Sequence, residues 1–162
     1  MRLATVLGMP EDLAALDALI ARSVRSATPA VAESLAYPER QMTGAELVEM
    51  LKAARLIAMT TVGANGQPHV APVHAELDGT TLRLVIYENT VRRQDIRENP
   101  RVAFTTWKDG AAVILYGRAR EVPGSLRESR PGRSGAARRV VGIEVALTRV
   151  YAMRPPPQSG AA

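Results

Sequence analysis

Apolar and polar positions change their period several times along this chain of 162 residues. Between residues 10 and 25, Leu13, Leu16, Leu19, Ile20 and Val24 recur at helical spacing, the stripe of an amphipathic helix. Pro10-Glu11-Asp12 opens it, with acidic side chains in the first turn where they complement the helix dipole. Residues 26–42 hold Pro29 and Pro38 and no firm period, so they read as a connecting segment. Thr43-Gly44-Ala45-Glu46 has the capping-box pattern, and the helix it starts puts Leu47, Met50, Leu51 and Ala54 on one face.

From Leu56 the period becomes two. Residues 56–62 form a strand rich in β-branched side chains, and Asn65-Gly66 marks the hairpin turn after it. The return strand over residues 69–77 is interrupted by Pro68 and Pro72, and a proline there demands an edge, a bulge or a site where something else needs the backbone. Asp78-Gly79 turns the chain again into a third strand, residues 82–87. A short basic helix segment over residues 89–100 then interrupts the antiparallel pattern. Residues 101–107 and 112–122 flank Asp109-Gly110 as a further hairpin. Residues 123–137 form a Gly/Ser/Pro-rich loop carrying Arg127, Arg130 and Arg133, and residues 140–153 close the pattern as a long strand. Val141, Ile143, Val145 and Leu147 share one face of that strand. Six strands with antiparallel hairpins and few helices predict a mainly β fold: a six-stranded antiparallel barrel with N-terminal helices. A barrel of this size fills its interior with side chains, so a ligand belongs at a rim or an interface between copies.

Composition narrows the function classes. At 46% apolar residues the chain can build a core, and its length suits one domain. No stretch approaches the ~20 apolar residues of a membrane helix, and the apolar run at the N-terminus is too short for a secretory signal. These features make a cytoplasmic protein the expectation. The absence of cysteine excludes disulfides, thiolate sites and cysteine nucleophiles, and two histidines argue against zinc; no metal is expected.

The net charge is +5, from nineteen arginines and two lysines against sixteen acids. Such an excess fits an anionic partner, nucleic acid or a phosphorylated small molecule, and equally a coding bias toward arginine. Aromatic residues are only 4% of the chain, which leaves nucleic-acid binding short of stacking surfaces. For the arginines of residues 127–139, a loop folded over an anionic cofactor and a merely solvated loop both remain open.

Candidate chemistry concentrates at the start of the basic helix. Thr90 and Arg92 place a hydroxyl two residues before a guanidinium where a strand hands over to a helix. Backbone N–H groups there are unpaired and partly positive, so the arrangement suits a phosphate. The competing reading is a helix cap followed by a solvated arginine. His69 and His74 are either proton donors or structural residues. Trp107 is either a stacking surface or part of an interface. No catalytic acid or base stands out.

Three stretches together resemble the FMN-binding split barrel of the pyridoxamine 5'-phosphate oxidase-like superfamily, over residues 43–153. These are residues 56–73, with Gly66-Gln67-Pro68 leading to Pro72-Val73; residues 90–102, with Asn99-Pro100-Arg101-Val102; and Tyr116-Gly117-Arg118-Ala119-Arg120-Glu121-Val122. The resemblance implies a homodimer with FMN in a groove between subunits. By position, Thr90 and Arg92 would hold the phosphate. Arg93 would stand in for a second basic residue the family often has at the place of Val91. Pro72 and Val73 would lie against the isoalloxazine ring with Val85 and Ile86 nearby, while Trp107 and the region of Ala112 and Val113 would come from the second subunit. The family's Gln near Ala112 is missing. So is the Arg- and His-containing C-terminal signature that grips pyridoxamine phosphate: this chain has Thr148-Arg149-Val150-Tyr151-Ala152-Met153-Arg154, which argues against vitamin B6 oxidation. The resemblance therefore implies an FMN-dependent oxidoreductase acting between a nicotinamide donor or small organic substrate and the flavin. The alternatives are a deazaflavin-dependent reductase, or a non-catalytic flavin or haem carrier or sensor. Residues 1–42 would be an N-terminal helix and connection, and residues 154–162 a mobile tail.

Overall fold

The computed structural model describes residues 10–129 and 135–155. In chain order the elements are α1 (Pro10–Arg25), α2 (Pro29–Ser34), a 3-10 turn (Pro38–Arg40), α3 (Gly44–Ala53), β1 (Ile57–Val62), β2 (Pro68–Val73), β3 (Ala75–Asp78) and β4 (Thr81–Tyr87). Then follow α4 (Val91–Glu98), β5 (Arg101–Lys108), β6 (Ala111–Glu121), β7 (Arg127–Glu128) and β8 (Arg139–Met153). Among the described residues no helix is long and apolar enough to cross a membrane.

The strands form one antiparallel sheet in the order β2-β1-β5-β6-β8-β4-β3, with β7 attached to β8. Its two outermost members, β2 and β3, are consecutive in the chain with His74 alone between them. A single bent segment thus supplies both edges: its first half pairs with β1 and its second with β4, and the sheet curls back toward itself. The six expected strands become eight for two reasons. The return strand over residues 69–77 divides at His74, where it changes pairing partner, and the two-residue β7 lies inside the expected loop. Pro72 sits on the outermost strand beside β1, where its missing N–H costs the ladder nothing. Within residues 26–42, the prolines that argue for a connection each open a short helical piece, α2 and the 3-10 turn.

Alternation decides what is inside. Leu82, Leu84 and Ile86 of β4, Val113 and Leu115 of β6, and Val141, Ile143 and Val145 of β8 are buried around Phe104 of β5. Leu16 and Leu19 of α1 and Leu47 and Leu51 of α3 are buried in the same core. The register between β6 and β8 slips at Thr148, because Gly117 opposes Leu147 while Tyr116 opposes Arg149. That bulge lets both Leu147 and Val150 face inward although they are three residues apart. At the β5–β6 turn, Asp109 and Gly110 both have positive φ, 50° and 80°, the geometry that a tight hairpin between right-twisted strands needs.

Polar contacts fasten the helices. The Ser23 hydroxyl donates to the Leu19 carbonyl at 2.7 Å and accepts the Val150 N–H at 2.9 Å, joining α1 to β8. Asp17 accepts the Gly44 N–H at 2.6 Å. The capping box at α3 forms as the sequence suggests: the Glu46 N–H reaches the Thr43 hydroxyl at 3.3 Å, and the Thr43 N–H reaches the Glu46 carboxylate at 2.7 Å. Arg154 then donates two bonds of 2.8 Å to the same carboxylate, tying the residue after β8 to α3. The rest of the expected tail, beyond residue 155, lies outside the described residues.

This pair carries a pH signature. The Arg154 guanidinium, and after it the Thr43 N–H, holds the Glu46 carboxyl at about 2 rather than 4.5. A carboxyl with a depressed folded pKa adds stability that is complete above its unfolded value and fades as pH falls toward the folded one. The contribution should be whole above about pH 4.5 and absent near pH 2. Both side chains are substantially exposed, at 38% and 43%, so solvent limits it to about 1 kcal/mol. Glu46→Gln keeps the cap's acceptor but should flatten the loss of stability across that window in acid titrations. An unchanged slope would show that Glu46 is not involved.

Candidate functional site

The helix α4 has the sequence Val-Arg-Arg-Gln-Asp-Ile-Arg-Glu, in which Ile96 is the one apolar side chain it buries. Such a segment does not hold itself helical in water; its surroundings hold it. Thr90 is the N-cap residue in extended geometry, yet its hydroxyl makes no cap bond and donates instead to the Tyr87 carbonyl at 3.0 Å. The hydroxyl's lone pairs therefore stay available at the helix start.

The three arginines of α4 have different fates. Arg93 donates to Glu121 through Nε at 2.8 Å and Nη2 at 3.3 Å, and lies 3.4 Å from the Glu88 carboxylate. Arg97 donates to the same Glu121 at 2.7 and 3.1 Å, and Arg139 pairs with Glu88 at 3.3 Å. The Arg93 hydrogen bonds, more than those of Arg97, hold the Glu121 carboxyl below its usual range and raise Arg93 in turn. Arg93 thus supplies no second free cation, because its side chain leaves the helix toward Glu121 and its charge is matched there. Arg92 is the α4 arginine with no acidic partner among the described residues, and its Nε is buried without a hydrogen bond.

The residues expected near a flavin ring divide by strand alternation. Pro72 and Val85 face outward and are exposed, Val85 at 47%. Val73 and Ile86 point into the core, so only their backbone groups can meet a ligand. His74 is exposed at the bend between β2 and β3. Trp107 is 72% exposed near the far end of β5, about 20 Å along that strand from its start beside α4. It lines a groove of about 470 Å³ with Met42, Met50, Leu56 and Lys108. Within one chain Trp107 and the Thr90–Arg92 pair are not brought together.

The outer face of β2, β1, β5 and β6 is uncharged over two register rows. One row runs Val70, Thr60, Ala103, Tyr116 and the next Pro72, Ala58, Thr105, Ile114. Val70 is 67% exposed and Tyr116 41%. A second, smaller cavity of about 210 Å³ lies between Glu88, Asn89, Arg138 and Arg139. Arg138 sits 3.6 Å over the Tyr87 ring. The arginine-rich loop's stem therefore borders the strand-to-helix junction, whereas Arg130 and Arg133 lie outside the described residues.

One cluster escaped the sequence reading. Asp95, 3% exposed on α4, accepts the Thr61 hydroxyl at 2.6 Å and bonds His69 Nδ1 at 2.7 Å, both through Oδ2. Thr61 and His69 face each other across β1 and β2. The available signal was an acid beside Ile96 inside a basic helix; its partners lie 34 and 26 residues away, beyond the reach of local pattern.

The sequence model of the pyridoxamine 5'-phosphate oxidase family matches residues 43–154. A 5a,11a-dehydrotetracycline/5a,11a-dehydrooxytetracycline reductase of Streptomyces rimosus is 32% identical over 95 residues, spanning 52% of this chain and 67% of that protein. Among solved structures, a conserved hypothetical protein of Mycobacterium tuberculosis superposes with a TM-score of 0.58 at 18% identity, covering 78% of this chain and 97% of the other. An F420 reductase superposes with a TM-score of 0.50 at 20% identity, over 59% of this chain and 88% of its own. Both structural likenesses speak to the fold alone.

Proposed function

Because the chain belongs to the pyridoxamine 5'-phosphate oxidase family, we propose that it is a flavin-type oxidoreductase. It works as a homodimer that holds FMN by its phosphate and passes hydride or electrons between the flavin and a nicotinamide donor or small organic substrate. The observation that carries this reading is Arg92, which has no acidic partner among the described residues and stands two residues after the Thr90 N-cap at a helix start. A guanidinium, a hydroxyl and first-turn N–H groups together suit an oxyanion.

Bound flavin supplies the redox chemistry; the chain places it. Thr90 and Arg92 hold the phosphate, Pro72 and Val85 offer apolar surface to the ring, and the backbone at Val73 and Ile86 is left for its polar edge. The uncharged sheet face of Val70, Thr60, Ala103 and Tyr116 suits a second copy of the chain, which brings a second Trp107 toward the groove. Pyridoxamine phosphate is not the substrate in this reading. Arg154, at the place of the missing signature, is committed to Glu46.

A second reading, a deazaflavin in place of FMN, draws on Arg138 and Arg139. They border the 210 Å³ cavity next to Thr90 and would face a longer anionic tail. The likeness to a dehydrotetracycline reductase favours reduction of an unsaturated organic substrate under either cofactor.

Purified protein is expected to carry flavin absorbance, release FMN on denaturation, sediment as a dimer and accept electrons anaerobically from NADH or NADPH. Deazaflavin binding without FMN would select the second reading. Bound flavin or haem without turnover would make the protein a carrier or sensor. Salt-dependent oligonucleotide binding with no flavin affinity would overturn the proposal.

A further inference from the structure

We propose that Thr61, Asp95 and His69 form a clamp that positions α4, so that Thr90 and Arg92 are aimed at the cofactor's phosphate. The inference rests on the phosphate reading above and adds three positioning residues that touch no ligand themselves. Asp95 stands three residues after Arg92, about 60° around the helix at 3.6 residues per turn. Its orientation therefore fixes where Arg92 leaves the helix.

A buried carboxylate is an expensive way to attach a helix. Well-packed apolar side chains usually do as well or better, and Ile96 already provides apolar contact on α4. What the carboxylate adds is direction. Two short bonds, 2.6 Å from Thr61 and 2.7 Å to His69, converge on one oxygen from adjacent strands and leave little freedom for rotation or sliding. On its other side, α4 is held by long arginine side chains reaching Glu121, a flexible attachment that does not fix an angle. His69 contributes from a side chain 36% exposed and Thr61 from one fully buried, so the clamp spans from surface to core.

The phosphate makes the clamp testable apart from stability. FMN and riboflavin differ by that phosphate alone, so loosening α4 should weaken FMN and spare riboflavin. The affinities of wild-type protein, Asp95→Leu, Thr61→Val and Thr61→Ser for both compounds are measured by fluorescence quenching. A deazaflavin with and without its phosphate is run in parallel. Asp95→Leu and the near-isosteric Thr61→Val should each weaken the phosphorylated ligand several-fold to roughly tenfold, the scale of a lost hydrogen bond. The phosphate-free ligand should be unaffected, and Thr61→Ser, which restores the hydroxyl, should recover wild-type selectivity. A role in stability alone would lower the melting temperature and leave the ratio of the two affinities unchanged, which would overturn the clamp. If Asp95→Leu fails to fold, the two Thr61 variants decide. Wild-type protein with no preference for phosphate would instead overturn the reading on which the clamp rests. Preference in wild type that persists in every folded clamp variant removes the clamp alone.

Discussion

Arg92→Ala is expected to weaken FMN binding by about 1.5–3 kcal/mol, the worth of a hydrogen bond to a charged group, or roughly 10- to 150-fold in Kd. The effect should be confined to phosphate-bearing ligands. Arg92 meets no acid among the described residues, so its removal breaks no ion pair, and its buried Nε is relieved of an unmet bond. Folded-state stability should therefore stay level or rise slightly. Arg93→Ala makes the informative contrast: it strips Glu121 and Glu88 of a partner and should lower stability before it touches phosphate selectivity. Calorimetric titration with FMN and riboflavin, alongside thermal melts, separates the two. If Arg92→Ala binds FMN as the parent does, Arg92 is not a phosphate ligand.

The largest expected loss of stability from a single methyl group is at Gly117. A Cβ built there would lie 2.5 Å from a Val145 methyl and 2.7 Å from the Ala146 carbonyl oxygen. The first neighbour can turn; the second is backbone in the middle of β8 and cannot. Gly117 flanks the register slip at Thr148, where β6 and β8 approach closely. Gly117→Ala should cost about 3 kcal/mol, the upper range for overpacking. For a domain of this size that is a fall in melting temperature of about 6–12 °C. A melt within a degree or two of the parent would mean that the two strands part there without penalty.

Much of the fold could be read from period and turns. α1 spans Pro10–Arg25 as its leucine spacing implies, and Thr43 and Glu46 form the box their separation suggests, because both signals depend on neighbours within one or two turns. The bend at His74 was less legible. Prolines announced an irregular strand, but which partner each half takes is decided across the sheet rather than along the chain. The same limit applies to the site. Thr90 and Arg92 could be proposed from a local motif, whereas the capture of Arg93 by Glu121, 28 residues on, could not. The burial of Val73 and Ile86 follows from alternation, since Pro72 and Val85 take the outward positions. Asp95 belongs with the unreadable part: a charged residue in a charged helix carries no local sign that it faces the core.

The chain's one tryptophan stands at 72% exposure beside the β5–β6 hairpin. Its indole is a built-in optical probe that needs no label. In an isolated chain its fluorescence should resemble that of indole in water, at the red end of its range. Burial of that ring by a second chain would shift the emission to the blue, and a nearby flavin would quench it by energy transfer. The position and the intensity of one emission band would thus follow subunit association and cofactor loading separately, in a single cuvette.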